Sequence, residues 1–272
     1  MDRSASRMAE GQGLLAPQDP PPAEVLEGEP GHPVLVVCEH AGRAIPAALH
    51  GLGLPAEALE GHQAWDIGAA GVTRRLAARL GAAAALQPYS RLVIDCNRPP
   101  DAPDAMPAVS HGLKVPGNRP AAPEAHGADD RPADHDARVR EIFEPFQAEV
   151  ARLAAAPGRR LLLSVHSFTR QLSGRTRPWR IGLCYRRDAE TSARLAAALT
   201  ARAPDLILGM NQPYGIDDAA DWFVPRHGEA TGLPHSLIEL RNDLIAAPQG
   251  QDRWADLLAD AVKDLMKGPS RC

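Results

Sequence analysis

The stretch Leu161-Leu162-Leu163-Ser164-Val165-His166-Ser167-Phe168-Thr169 begins as an apolar run of strand length and ends in a polar turn. Three other apolar runs have the same form. They end in polar groups at Glu39-His40, at Asn97-Arg98 and around Glu239. In an α/β sheet, ligands bind at the carboxyl ends of parallel strands. We therefore expect these four segments to form one site.

Strand-like and helical segments alternate along the chain, which predicts an α/β fold. We expect a single domain with a central mixed, largely parallel sheet flanked by helices. An apolar fraction of 44% and a charged fraction of 24% are ordinary for a globular protein. The domain is expected to span residues 32–268. A flexible arm rich in Pro, Gly, Glu and Ala is expected over residues 1–31.

The spacing of apolar residues predicts the positions of the regular elements. Strands are expected at residues 33–38, 82–86, 91–96, 181–185 and 205–208, in addition to those around Leu161 and Leu237. Helices are expected at about residues 67–80, 133–155, 188–202 and 251–266, with Gly81 as the C-cap of the first. The long loop at residues 99–132 is interpreted as a lid or specificity loop, because a structureless stretch of this length inside a domain is usually functional or disordered.

The composition excludes several classes of partner and compartment. A net charge of −4 gives no reason to expect binding to nucleic acid or to an anionic membrane. The first thirty residues contain neither the apolar core of a secretory signal nor a transmembrane run, so we expect a cytoplasmic protein. Cys38, Cys96 and Cys184 lie in apolar runs and are interpreted as buried thiols.

Two of the ten histidines, His40 and His166, directly follow strand-like apolar residues. Such an imidazole either binds Zn²⁺ or is satisfied by backbone groups, and its position leaves both interpretations open. A catalytic zinc ion commonly has three protein ligands, so a carboxylate is needed as the third. Glu39 is awkward because adjacent side chains on a strand point to opposite faces. Asp66 has no such conflict, although it is equally placed to cap the following helix.

Glu239 is the candidate general base. Partial desolvation at the end of an apolar strand raises the pKa of a carboxyl group toward the range useful for proton transfer. The alternative interpretation is an ion pair with Arg241 or Arg98. Asn97 and Arg98 are candidates for holding a substrate carboxylate, because a guanidinium group binds carboxylates through two parallel hydrogen bonds. Arg91 and Arg241 are candidates to assist them.

Seven short motifs between about residues 33 and 265 carry a family resemblance through their order and spacing. They are Cys38-Glu39-His40-Ala41-Gly42 with Ile45-Pro46, His62-Gln63-Ala64-Trp65-Asp66-Ile67-Gly68, Tyr89-Ser90-Arg91-Leu92-Val93-Ile94-Asp95-Cys96-Asn97-Arg98-Pro99, Val115-Pro116-Gly117-Asn118, Ser164-Val165-His166-Ser167-Phe168-Thr169, Asn211-Gln212-Pro213-Tyr214, and Ile238-Glu239-Leu240-Arg241-Asn242-Asp243-Leu244-Ile245. Taken together, they resemble the N-formylglutamate amidohydrolase family.

The resemblance implies a zinc-dependent hydrolase, related in fold to the zinc carboxypeptidases, that cleaves an amide with metal-activated water. Matching positions imply one Zn²⁺ held by His40, Asp66 and His166. They also imply Glu239 as the general base and Asn97 with Arg98 as the clamp for the substrate carboxylate. Arg98 is alternatively implied as the group that stabilises the oxyanion.

The chain departs from the family pattern at two motifs. Family members that act on formylglutamate have Pro-His-Ser-Gly in place of Glu39-His40-Ala41-Gly42. They have Asp-Trp-His-Val-Asp in place of Ala64-Trp65-Asp66-Ile67-Gly68. We therefore expect a divergent branch that hydrolyses a small N-acyl amino acid, with N-formyl-L-glutamate as one candidate. The alternatives are a non-catalytic protein that binds a carboxylated metabolite, and a zinc peptidase or cell-wall amidase.

Overall fold

The computed structural model describes residues 13–119 and 132–267. Seven strands form the central sheet of this part of the chain. They are β1 (Glu24–Leu26), β2 (Val34–Cys38), β3 (Ala83–Leu86), β4 (Leu161–Phe168), β5 (Ile181–Cys184), β6 (Leu208–Met210) and β7 (His235–Arg241). Their order across the sheet is β1-β3-β2-β4-β7-β5-β6. Only β1 on β3 and β5 on β7 are antiparallel, so the predicted mixed, largely parallel sheet is confirmed.

Four α-helices longer than ten residues flank the sheet in the described ranges. They are α1 (Ala69–Leu80), α2 (Glu144–Ala154), α3 (Ala189–Arg202) and α4 (Pro248–Met266). A short helix, His135–Arg138, and a π-helical turn, Val139–Phe143, lead directly into α2. All four helices were predicted. The predicted C-cap of α1 is also confirmed, because Gly81 ends the helix with a φ of 73°.

Alternate residues of β2 enter two different cores. Val34, Val36 and Cys38 pack in the core that contains the apolar stripes of α1, α3 and α4. Leu35 and Val37 pack in the core on the opposite face, which contains residues of α2. Every residue of β2 is buried. This explains why its sequence is apolar without the alternation of a half-exposed strand.

The strand predicted at residues 91–96 is wrong: this segment folds as a series of buried turns. Its carbonyl groups are bound by side chains instead of by a neighbouring strand. Asn118 Nδ2 donates to the Leu92 carbonyl (2.8 Å), and the fully buried Arg138 donates to the Val93 carbonyl (2.9 Å). The run is apolar because it is buried under loops and helices. An apolar sequence alone does not distinguish this kind of burial from burial within a sheet.

The described part of the predicted N-terminal arm lies against the domain. Leu14 is buried, and β1 extends the sheet by pairing with β3. In the predicted loop, Val109–Ser110 and Leu113–Lys114 form a small hairpin, followed by a 3₁₀ turn at Pro116–Asn118. Residues 120–131 of that loop lie outside the described residues, so a lid there stays a prediction. β6 begins three residues later than expected.

Shorter elements complete the described chain. Further 3₁₀ segments are Ala47–Gly53, Ala56–Glu60 and Asn242–Leu244, a π-helical segment is Phe223–Glu229, and a second hairpin joins Gln171–Leu172 to Arg175–Thr176. None of the helices within residues 13–119 and 132–267 combines the length and the apolar character needed to cross a membrane.

Candidate functional site

Three neighbouring strands, β2, β4 and β7, bring side chains to one edge of the sheet. His40 follows β2, while His166 and Glu239 are paired residues near the ends of β4 and β7. Asp66 lies before α1, and its backbone N–H donates to the His40 carbonyl (3.0 Å). All four side chains are buried. The convergence expected from the strand ends is therefore observed for these residues.

Two imidazole nitrogens and one carboxylate oxygen meet at the centre of the site. His166 Nδ1 lies 3.1 Å from His40 Nδ1 and 3.0 Å from Asp66 Oδ2. His40 Nδ1 lies 3.4 Å from the same oxygen. Ligand atoms around a tetrahedral Zn²⁺ with bonds of about 2.0–2.1 Å are roughly 3.3–3.4 Å apart. The three atoms are thus spaced as ligands of one such ion, and this buried group could hold a metal.

Each histidine has a carboxylate behind it. His40 Nε2 lies 2.7 Å from Asp95 Oδ1, and His166 Nε2 lies 3.1 Å from Glu39 Oε2. A carboxylate at Nε2 favours the tautomer with its hydrogen on that nitrogen, which leaves the lone pair on Nδ1. Two lone pairs and a carboxylate oxygen then face one another, and only a cation or a proton between them makes the arrangement favourable. The donor set therefore fits a metal ion.

The pKa values of the metal-free site agree with this electrostatic picture. Burial alone would lower the pKa of His166, but the hydrogen bonds and charges of Asp66 and Glu39 hold it well above its ordinary value. Burial alone would raise the pKa of Asp66, yet His40 and His166 hold it well below its ordinary value. The electrostatic potential of the cluster thus favours a cation. In the absence of a metal ion, His166 carries a proton in that place.

The capping role considered for Asp66 is not observed. Its side chain makes no capping hydrogen bond to α1, whose N-cap is Gly68 with a φ of 84°. Instead, Asp66 Oδ2 accepts the backbone N–H of Ser167 (3.0 Å), which fixes the carboxylate against the end of β4. A Cβ at Gly68 would lie 2.2 Å from the Ile245 carbonyl oxygen, so glycine permits this close approach.

Glu39 lies behind His166 instead of beside the three central atoms. Its Oε2 accepts a hydrogen bond from Ser164 Oγ (2.6 Å). His166, Ser164 and the end of β2 therefore enclose this carboxylate, which is almost completely buried. Such an arrangement can orient a histidine that binds a metal, but it keeps the Glu39 carboxylate away from the three central atoms.

Glu239 is a buried carboxyl group without a partner. Its Oε2 has no hydrogen bond in the described structure. Burial raises its pKa to about 8, and the charge of Asp66 acts in the same direction, against the opposing effect of His166. A carboxyl group with a pKa near neutrality can both take up and release a proton, which is the property that a general base needs.

Asn97 and Arg98 both line the cavity in front of this cluster. Asn97 Oδ1 accepts the backbone N–H groups of Trp222 (3.3 Å) and Phe223 (2.9 Å). Its amide nitrogen, the group that could donate to a carboxylate, has no partner among the described residues. Arg98 Nη1 lies 2.9 Å from Asp104, and Nε lies 3.4 Å from Asp95. Both side chains are therefore held in place by contacts that leave donors for a ligand.

The other two predicted arginines lie in different surroundings. Arg91 lines the cavity, and its guanidinium lies 2.6 Å from Asp95 and 3.5 Å from Asp66. Arg241 is absent from the cavity wall. Its Nε lies 2.7 Å from Asp243, and Nη1 donates to the Pro178 carbonyl (3.4 Å). The structure thus brings Arg91 to the site and places Arg241 outside it.

The cavity has a volume of about 240 Å³. Pockets for drug-sized ligands usually have roughly 300–1,000 Å³, so this one suits a molecule of the size of an amino acid derivative. Its wall also contains polar residues to which the sequence analysis assigned no role, among them Asp95, His111, Tyr214 and Asp221. His111 lies at the tip of the 109–114 hairpin with a φ of 46°. Arg177 Nη1 donates to the Tyr214 hydroxyl (2.8 Å).

Asp95 had a signal in the sequence that the strand prediction obscured. A charged residue within the apolar run at residues 92–96 has to be buried with partners, and Asp95 has three: His40, Arg91 and Arg98. Tyr214 stands in the motif Asn211-Gln212-Pro213-Tyr214, which assigned it no role. Asp221 had no signal in the sequence, because it belongs to a segment that reaches the cavity only through the tertiary fold.

Comparisons with known proteins concern the sequence family and the fold. The sequence profile of a family described as N-formylglutamate amidohydrolase matches residues 32–246. The crystal structure of the gene product Atu2144 from Agrobacterium tumefaciens is 34% identical, with a TM-score of 0.81, covering 93% of this chain and 98% of that one. The N-formylglutamate amidohydrolase from Ralstonia eutropha JMP134 is 18% identical, with a TM-score of 0.64 and coverages of 90% and 97%. A search of curated proteins finds no match.

Proposed function

The chain belongs to the N-formylglutamate amidohydrolase family, and from this premise we propose that it is a zinc-dependent hydrolase that cleaves the amide of a small N-acyl amino acid. The observation that carries the metal dependence is the meeting of His40 Nδ1, His166 Nδ1 and Asp66 Oδ2 within 3.4 Å of one another. The carboxylates behind both histidines support it, because they direct the free lone pairs toward one point.

In this proposal His40, Asp66 and His166 would hold one Zn²⁺, which would supply Lewis-acid activation of a water molecule and of the amide carbonyl. Glu239 accepts a proton from that water and returns it to the departing amine. Its position supports this role, because it is paired with His166 across two neighbouring strands and its Oε2 has no hydrogen-bond partner among the described residues. Burial keeps its pKa near neutrality, so neither direction of proton transfer is strongly unfavourable.

Asn97 and Arg98 hold the carboxylate of the substrate. The unpartnered amide nitrogen of Asn97 and the guanidinium of Arg98 supply donors to an anion, and both are anchored by the 220–223 segment. Arg91 contacts Asp66 and Asp95 and lines the cavity, where it stabilises the negative charge that develops on the carbonyl oxygen. The size of the cavity supports an N-acyl amino acid as substrate, of which N-formyl-L-glutamate is one to test.

The direct test combines metal analysis with amine release. The purified full chain is expected to contain, or to take up, one zinc ion per molecule and to release amine from at least one compound in a panel of N-formyl and N-acetyl amino acids. The variant His166→Ala should lose both the bound zinc and the activity. His32→Ala is a matched control, because this histidine lies before β2 and away from the cavity wall. Full zinc content and full activity in His166→Ala would refute the assignment of the site.

A further inference from the structure

One carboxylate of the cavity wall has no role in the proposed reaction. Asp221 lines the same cavity as His40, Glu239 and Arg98. Its Oδ2 accepts the backbone N–H of Asp217 (2.9 Å). Its Oδ1 has no hydrogen-bond partner within the ranges that the structure describes. The side chain is thus anchored by one oxygen and leaves the other for a ligand.

The charges of the other cavity carboxylates are compensated. Asp66 contacts two histidines, and Asp95 forms ion pairs with a histidine and two arginines. Glu239 is paired with His166, one of the proposed metal ligands. Asp221 forms no ion pair with a described residue. Burial raises its pKa only to about 6, so the group is ionised at neutral pH.

Asp221 lies next to the proposed carboxylate clamp. Arg98 Nη1 donates to the carbonyl oxygen of Ala220, the preceding residue (3.3 Å). This hydrogen bond ties the guanidinium to the segment that carries Asp221, and both a positive and a negative group therefore face the cavity. Cys184 and Leu237, both buried, add apolar surface to the wall.

These groups match the parts of one type of amino acid. A carboxylate at Arg98, methylene groups along the apolar wall and a cation at Asp221 describe a basic amino acid. We propose that Asp221 determines substrate specificity: the amino-acid part of the substrate carries an ammonium or guanidinium side chain that forms an ion pair with Asp221. This inference rests on the proposed function and narrows its substrate class.

Electrostatics also predicts which side chains are excluded. A partly buried carboxylate without a direct ion-pair partner is less favourable than a paired one, and a cationic ligand group in contact with Asp221 adds to the more distant charge of Arg98. An acidic side chain placed at the same position faces like-charge repulsion, which is an effective means of rejecting a ligand. The family's eponymous substrate, with its glutamate side chain, is therefore expected to be a poor substrate for this chain.

The test compares N-formyl derivatives of lysine, norleucine and glutamate with the zinc-loaded full chain. Lysine and norleucine share a four-carbon side chain and differ in the terminal charge. We expect kcat/KM for the lysine compound to exceed that for norleucine at least tenfold, with glutamate lowest. In Asp221→Asn, whose carbonyl oxygen can still accept the Asp217 N–H, the lysine-to-norleucine ratio should fall to within about threefold of one. A tenfold ratio corresponds to about 1.4 kcal/mol.

Asp218→Asn is the matched control, because Asp218 is exposed, pairs with Arg186 (2.8 Å) and is absent from the cavity wall. It should leave the lysine-to-norleucine ratio as in the wild type. Asp221→Glu, which retains the charge, should restore part of the preference. A wild type that prefers the glutamate compound, or an equal ratio in the wild type and Asp221→Asn, overturns the inference.

The measurements distinguish a failure of this inference from a failure of the proposed function. When neither these three compounds nor any compound of the wider panel of N-formyl and N-acetyl amino acids releases amine, the proposed function fails. Calorimetric titration of the lysine and norleucine compounds into the full chain then decides the inference by itself. Tighter binding of the lysine compound that is lost in Asp221→Asn supports it, and equal binding of both compounds refutes it.

Discussion

Replacing Glu239 by Gln should stabilise the metal-free protein, and more so as the pH rises. Burial raises the pKa of this carboxyl group from 4.5 to about 8. The folded protein therefore keeps the proton up to about pH 8, whereas the unfolded chain releases it near pH 4.5. Between these values the free energy of unfolding falls by about 1.4 kcal/mol for each pH unit. Glutamine does not ionise, so the variant escapes this loss.

The size of the effect follows from the two pKa values. The contribution of the protonated carboxyl group is fully present below pH 4.5 and is lost as the pH rises through about 8. Between pH 5 and pH 7.5, the stability of the wild type relative to the variant should fall by on the order of 3 kcal/mol. The change with pH is the informative quantity, because constant differences in packing between Glu and Gln cancel from it.

Urea unfolding in the presence of a chelator, followed by tryptophan fluorescence, measures this change. Glu229→Gln is the matched control. Its carboxylate binds Arg186 through two hydrogen bonds (3.1 and 2.5 Å), and this lowers the pKa of Glu229. Glu229 is thus ionised in folded and unfolded chains throughout this pH range, and its variant should differ from the wild type by a constant amount.

A difference between Glu239→Gln and the wild type that is the same at pH 5 and pH 7.5 would refute the reasoning. Extrapolated free energies of unfolding carry an uncertainty of about 10–15%, well below the expected change. Such a result would show that the Glu239 carboxyl is hydrated or paired in solution. It would then lack the raised pKa on which its role as a general base depends.

Three further predictions concern the site itself. Asp95→Asn should weaken zinc binding by about 10- to 100-fold, because Asp95 orients His40. Competition with a chelator measures the affinity for zinc. The control Asp243→Asn, outside the cavity, should leave that affinity unchanged. Arg98→Lys should raise KM by about tenfold or more through loss of the planar guanidinium, while Arg241→Lys keeps the wild-type value. Glu239→Gln should lower kcat by at least about 100-fold with zinc content intact, whereas a binding protein has no turnover to lose.

Strand ends were the most predictable part of the site. β2, β4 and β7 are apolar without alternation because helices cover both faces of the sheet, and polar residues at their ends are exceptions to that pattern. His40, His166 and Glu239 stand out for this reason. Their positions on three neighbouring strands follow from the parallel topology, since parallel strands end at the same edge.

The errors arose where local pattern and tertiary contact differ. The run at residues 91–96 is as apolar as a strand, but its carbonyl groups bind the side chains of Asn118 and Arg138, which lie far away in the sequence. Arg241 is two residues beyond Glu239, a spacing that puts both on one face of a strand. The chain, however, turns at Asn242–Leu244, where Asp243 binds the Arg241 guanidinium. No periodic pattern encodes either contact.

The central cluster couples metal binding to stability. In the metal-free protein, a proton on His166 compensates the charge between the facing nitrogens, and Glu239 is kept neutral at neutral pH. A divalent cation held as proposed by His40, Asp66 and His166 would replace that proton and lower the pKa of the nearby Glu239 carboxyl group. The same ion would therefore leave Glu239 ionised, as the proposed base must be, and remove its cost to folding. It follows that saturating zinc should raise the stability of the wild type and largely abolish the pH-dependent difference between the wild type and Glu239→Gln. Persistence of the full difference with zinc bound would place the ion too far from Glu239 for the two to act on one substrate.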